Sequence, residues 1–192
     1  QIDSHATFAQ LHKAIQQQSF IPLFVTSAEK NVGVARVMDF IAKYGSSPVD
    51  RPKVKALDNN DAEVELDAHS PEPVLHVFKT LSEAKFGEVA FFRVYSGKLT
   101  LGTEVYNTTR RASEKIGQIY LLNGQNREAV DQLSAGDIGA TVKLKETHTG
   151  NTLSSPKLLR TLPPVQWPKP SIHSAIELKV KGEEDKLSQG LA

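Results

Sequence analysis

The sequence predicts a mainly β protein: a closed barrel of short strands, with a smaller α/β piece on each side. Three observations predict it. The stretch from Phe86 to Asn107 alternates side chains at period two. Further short strand candidates recur up to about residue 160, separated by turn residues and with no helical stripe among them. Apolar residues at helical spacing occur only towards the two ends.

Residues 1–45 read as the end of an α/β domain. Phe8, Leu11 and Ile15 share a helical face, with Ser4 or Thr7 as candidate N-caps. Ile21 to Thr26 is a short apolar run of strand type, opened by Pro22. Val34, Val37, Met38 and Ile41 form a second helical stripe. One strand between two helices closes no core, so this unit is expected to continue upstream. Residues 46–72 carry Ser46-Ser47-Pro48, Arg51-Pro52, Asp58-Asn59-Asn60-Asp61 and Ser70-Pro71, and read as an exposed linker with one possible strand near Ala62 to Leu66.

Residues 73–160 are the barrel. Ala90, Phe92 and Val94 fall on one face and Val89, Phe91, Arg93 and Tyr95 on the other. Ser96-Gly97 then turns the chain, and Leu99 and Leu101 restart the alternation, so the stretch reads as a hairpin. Lys115 to Leu122 and Ile138 to Leu144 are further strands, the latter with Ile138, Ala140, Val142 and Leu144 on one side. Ala135-Gly136-Asp137 and Gly150-Asn151 signal turns. Residues 161–170, with Pro163, Pro164, Pro168 and Pro170, are a stiff linker. In residues 171–192, Ile172 to Val180 reads as a strand. Gly182-Glu183-Glu184-Asp185 reads as an acidic helix start, with Leu187 and Leu191 beginning a buried stripe.

Composition narrows the function classes. At 39% hydrophobic and 23% charged residues, the 192-residue chain has ordinary globular proportions. A net charge of +1 provides no global attraction to nucleic acid, so any such contact needs a local patch. The absence of cysteine removes disulfides, thiolate zinc sites and thiol nucleophiles. The phosphate-loop pattern GxxxxGK[ST], GxSxG and HExxH do not occur, and His5, His12, His69, His76, His148 and His173 lack metal-ligand spacing. No catalytic or metal-binding residue is assigned.

Two places could bind ligands. Val25-Thr26-Ser27-Ala28-Glu29 ends a strand and turns into a helix, where open α/β sheets take their ligands; an ordinary strand-to-helix turn would look the same. Arg110, Arg111 and Lys115 lie near one turn between barrel strands, and Arg127 lies in the loop from Gly124 to Glu128. Exposed arginines on a barrel rim suit bidentate phosphate contacts, although a merely solvated charge cluster is the commoner arrangement. Arg93 reads as structural, paired to a barrel carboxylate or carbonyl. Trp167 is read more simply as a wedge between domains than as a platform for a base.

The string FGEVAFFRVYSGKLTLGTEVYN strongly resembles the start of the β-barrel second domain of the elongation factor G family of translational GTPases. Ile116 to Ile119, Asn126 to Glu128, Ser134 to Ile138 and Lys143 to Leu153 are similar to later parts of that barrel. Ile21 to Ile41 resembles the end of the GTP-binding domain, and Pro170 to Leu191 the first strand and helix of the ferredoxin-like third domain. The resemblance implies a cytoplasmic, monomeric factor that uses GTP and magnesium to move tRNA and mRNA through the ribosome. Its barrel would dock on small-subunit ribosomal RNA through Arg110, Arg111, Lys115 and Arg127. Ser27 would shape the last guanine-binding loop, and the Ala28 N–H would meet the guanine carbonyl oxygen. The chain itself lacks the phosphate loop, so it is expected to bind no GTP and to be inactive alone. Val25-Thr26 stands where the family usually has a small pair such as Cys-Gly, and Glu29-Lys30 where it often has Phe-Lys. A ribosome-recycling relative, a ribosomal-protection or release-factor GTPase, and a non-ribosomal β-barrel binding module stay open as alternatives.

Overall fold

Alternation in the middle of the chain builds one long antiparallel sheet. The computed structural model describes residues 4–50, 53–83, 87–124, 126–178, 182 and 184–191. Arg51, Pro52, Phe86, Val180 and Glu183, named above, lie outside these. In chain order the strands are β1 (Val54–Leu57), β2 (Glu63–Leu66), β3 (Val74–Glu83), β4 (Gly87–Ser96), β5 (Lys98–Thr100) and β6 (Glu104–Asn107). They continue with β7 (Ala112–Lys115), β8 (Ile119–Asn123), β9 (Asn126–Val130), β10 (Gln132–Ser134), β11 (Ile138–Val142) and β12 (Thr152–Ser154). The helices are α1 (Ser4–Gln16), α2 (Val34–Tyr44) and α3 (Glu184–Leu191). Eight strands pair in the order β7-β6-β12-β3-β4-β11-β8-β9, and β5 pairs with β10 in a second ladder. Leu75, Val77, Phe92, Val94 and Leu153 of the long sheet enclose one core with Leu99 and Leu133 of the short pair. The architecture is therefore mainly β and barrel-like.

The stretch from β4 to β5 is not the expected hairpin. β4 lies between β3 and β11, whereas β5 lies on β10. Gly97 alone separates the two strands, fewer than the two loop residues of a tight hairpin, so the chain turns a corner between ladders. Gly97 has φ +69°, and a Cβ there would stand 2.5 Å from the backbone of Glu72, a position that only glycine accommodates. Leu101 does not extend the strand. It sits exposed in the Thr100–Thr103 turn, where the Thr103 hydroxyl donates to Thr100 O at 2.7 Å.

Lys115 to Leu122 also divides. Residues 116–118 lie outside β7 and β8, while Ile116, two residues on from buried Glu114, keeps backbone hydrogen bonds with Gly102 and Thr103 and is buried in the main core. In β11 the shared face of Ala140 and Val142 is real but points outward. Both pack with Val89, Phe91, Tyr120 and Leu122 in a second cluster, and Ile138 is exposed. The inward side is Gly139 and Thr141, opposite Phe92 and Ala90. A Cβ on Gly139 would stand 2.3 Å from Leu133 Cδ1, so the missing side chain is what lets β10 close over the sheet. Buried Thr141 meets its polar requirement by donating to Gln118 O at 2.7 Å.

The expected linker holds a β-hairpin, β1 with β2. Its turn is tied by Asp58 Oδ1, which accepts the N–H groups of Asn60 at 2.8 Å and Ala62 at 3.0 Å. These donors hold the Asp58 carboxyl below its ordinary pKa, with the Arg160 charge a lesser cause. Ala56 and Leu66 pack with Val74, Leu162 and Tyr95, and Leu57 exchanges two backbone hydrogen bonds with Thr161. The hairpin is thereby fastened to the barrel.

The apolar runs on the flanks form no strands. Ile21 to Thr26 joins no ladder among the described residues, and Leu23 and Val25 are 92% and 96% exposed. Ile172 to Leu178 is likewise unpaired among the described residues. Among the described residues neither run has a neighbouring strand to take its backbone groups. α2 packs Phe40 edge-on against Phe24 at 4.8 Å, while Met38 and Ile41 of its stripe are exposed. No helix among the described residues is long and apolar enough to cross a membrane.

Candidate functional site

The first candidate is the loop before α2. Ser27 and Val32 exchange backbone hydrogen bonds of 3.0 and 2.9 Å, closing a narrow loop over residues 28–31. Ser27 Oγ accepts the Lys30 N–H at 3.4 Å, and Asn31 N–H donates to Ala28 O at 3.1 Å. The Ala28 N–H has no acceptor among the described residues, and the residue is exposed. Ser27 thus fixes the loop from both ends, and Ala28 presents a free backbone donor at its start.

The second candidate is the turn between β6 and β7, built around a buried amide. Asn107 is fully buried, and its Oδ1 accepts the N–H groups of Thr109 at 3.1 Å and Arg110 at 2.9 Å. Its Nδ2 donates to Glu146 O at 3.3 Å, Thr147 Oγ1 at 3.1 Å and Asn151 Oδ1 at 3.1 Å. One side chain therefore locks the arginine turn to the loop before β12. Buried Glu114 does the same from β7, accepting the N–H groups of Lys145 at 3.0 Å and Glu146 at 2.7 Å. Arg111 takes a left-handed φ of 59° within this frame. Arg110 and Arg111 are exposed and have no carboxylate partner among the described residues. Arg111 borders a depression of about 230 Å³ that Asp58 and Asp61 also line.

The structure does not gather all four predicted basic residues. Lys115 ends β7, roughly 13 Å along the strand from Arg111 at about 3.3 Å per residue. There it lines a depression of about 400 Å³ with Lys143 and Lys145. Sequence reasoning missed those two lysines. The signal was present in Lys143-Leu144-Lys145, where the buried Leu144 turns both neighbours outward. Arg127 is not an exposed rim residue: it is largely buried and ion-paired with Glu83 at the end of β3. The expected carboxylate or carbonyl partner of Arg93 is instead an aromatic ring, with the guanidinium 5.6 Å from the Tyr95 centroid. Trp167, read as a wedge, is 66% exposed.

Comparison with known proteins bears on the barrel. The family model of elongation factor G domain 2 matches residues 74–156. The crystal structure of ttk003000868 from Thermus thermophilus matches with a TM-score of 0.75 at 21% identity, over 100% of this chain and 26% of that one. This chain therefore spans about a quarter of the length of that protein, and the likeness is one of fold. Over residues 74–156 the barrel is therefore similar to the second domain of elongation factor G.

Proposed function

We propose that the chain is the middle of an elongation factor G, a cytoplasmic and monomeric GTP hydrolase that moves tRNA and mRNA through the ribosome. Residues 1–45 end its GTP-binding domain, the barrel links that domain to the small ribosomal subunit, and residues 171–192 begin its third domain. The observation that carries this reading is the domain 2 match over residues 74–156. The exposed Ala28 N–H, in a loop that Ser27 holds closed, fits one carbonyl acceptor such as that of guanine. GTP, when bound, supplies the phosphoanhydride whose hydrolysis drives the cycle. The sequence holds no phosphate loop, so magnesium and the phosphates would be held by residues outside this chain, which alone hydrolyses no GTP.

On the barrel, Arg110 and Arg111 carry RNA docking, because Asn107 presents them on a rigid turn. Lys115 adds charge beside Lys143 and Lys145. Arg127 contributes least, since Glu83 shares its charge. Co-sedimentation with small ribosomal subunits at rising salt tests this reading. Binding should weaken with salt, and further in Arg110→Ala/Arg111→Ala. Failure of either protein to bind at low salt would remove the docking role.

A further inference from the structure

The outer face of β3 and β4 carries an aromatic and cationic surface that the arginine turn does not explain. The register of β3 against β4 shifts between Val77 and Lys79, so Lys79 stands opposite Phe91 and Phe78 is the extra residue of β3. Such a bulge re-aims side chains that would otherwise alternate between faces. Here it brings two consecutive side chains to one ring: Phe78 lies 6.5 Å from Phe91, centroid to centroid, and Lys79 Nζ lies 5.8 Å from the same ring. Phe78 is 41% exposed, although a large apolar side chain in a strand is ordinarily turned to a core. Two residues along the same face of β4, Arg93 lies over Tyr95. Neither Lys79 nor Arg93 has a carboxylate partner among the described residues.

We propose that this face binds unpaired RNA, with a base stacking on Phe78 beside Phe91 and with Lys79 and Arg93 meeting the adjoining phosphates. Exposed rings offer a π-face to any base, and cations without counter-charges complement a polyanion. A docking protein would be expected to meet carboxylate-balanced charges or a wholly apolar face, and this surface is neither. The choice of RNA as the polyanion rests on the proposed ribosomal role; the choice of an unpaired strand rests on the rings alone.

The test is fluorescence anisotropy of the chain with labelled ten-nucleotide oligo(A) and oligo(U), and with an RNA duplex of the same length, at low salt. Single strands should bind more tightly than the duplex. Phe78→Ala should weaken single-strand binding about 5-fold or more, Phe78→Trp should restore it, and Phe78→Leu should not. Lys79→Gln should lower the affinity and flatten its salt dependence. Phe78 is exposed, so its variants should keep the circular dichroism spectrum of the parent. Equal binding of duplex and single strand, indifference to Phe78→Ala, or no RNA binding at all would overturn the proposal. So would a change in sedimentation coefficient on Phe78→Ala without a change in RNA affinity, which would make the face an interface between copies. If Arg110→Ala/Arg111→Ala abolishes binding to small subunits while Phe78→Ala changes no affinity, the docking turn stands and the stacking surface falls.

Discussion

The barrel and the segment before α2 contain apolar strings of the same kind, yet they end in opposite states. In β4, Phe92 and Val94 are fully buried. In Ile21 to Val25, Leu23 and Val25 are almost fully exposed, and no strand forms. The difference is not propensity, since both runs are rich in strand-forming residues. β4 has β3 on one side and β11 on the other, so its backbone groups enter two ladders and its even-numbered side chains meet the opposite wall. Ile21 to Val25 has neither neighbour. Period two is thus a statement about which side chains share a face; a strand also needs partners for its N–H and C=O groups.

Mutation of matched positions gives the largest contrast. Phe92→Ala should cost about 3–5 kcal/mol, because it empties the centre of the main core. Leu23→Ala should change stability by no more than about 0.5 kcal/mol, as for other exposed sites. Urea denaturation of both variants checks this. A comparable loss from Leu23→Ala would show that the segment is packed in solution and would remove the contrast.

Rigidity separates the two candidate sites in the same way. The loop before α2 is held by the Ser27–Val32 bridge and two further bonds of 3.1 and 3.4 Å. The arginine turn is held by a buried amide that bonds five groups. Asn107→Leu keeps roughly the size of the side chain but leaves those groups without their partner, and should cost about 1–3 kcal/mol. It should also raise hydrogen exchange at the Thr109 and Arg110 amides well above that at Phe92. Unchanged exchange at those amides would mean that the turn is held by its backbone alone.

Filling the close approach at Gly139, on the inward side of β11, has an effect of similar size. Gly139→Ala should cost about 1–3 kcal/mol if Leu133 cannot withdraw, and less if β10 yields. Thermal unfolding of this variant beside Leu133→Ala would show which strand gives way.

The barrel-like fold, the faces of β4 and the turns at Gly136 and Gly150 were legible because each depends on residues close in sequence. What failed depended on partners far along the chain. The corner at Gly97 looked like a hairpin because Ser-Gly marks a reversal and a corner equally well, and only the distant positions of β3 and β10 decide between them. The outward direction of Ala140 and Val142 was hidden because alternation names two faces without saying which is inside. At the candidate site, Arg110 and Arg111 were legible from charge and turn position. Asn107, which positions them, was not, because nothing local shows that an asparagine will be buried. Arg127 misled for the complementary reason: its partner Glu83 lies 44 residues away.

A polar group inside the well-packed region gives the smallest expected effect. His76 is buried in β3, and its Nδ1 has no hydrogen-bond partner among the described residues. Its ring meets that of Tyr95 edge-on, and Arg93 stands opposite it in the ladder. Burial pushes its pKa below the ordinary 6.5, because the imidazolium would lose its water there. Above about pH 6.5 the residue is neutral in both the folded and the unfolded chain, so its contribution does not change with pH. As pH falls through that value, the unfolded chain takes up the proton first and stability declines, levelling off only once the folded form is also protonated. The measurement is the difference between the parent and His76→Phe in urea midpoints from about pH 8 to about pH 5. The variant should show the shallower decline. Parallel curves would mean that water reaches Nδ1 in solution, and that the barrel at this point is less tightly closed than the packing of Phe92 and Val94 beside it.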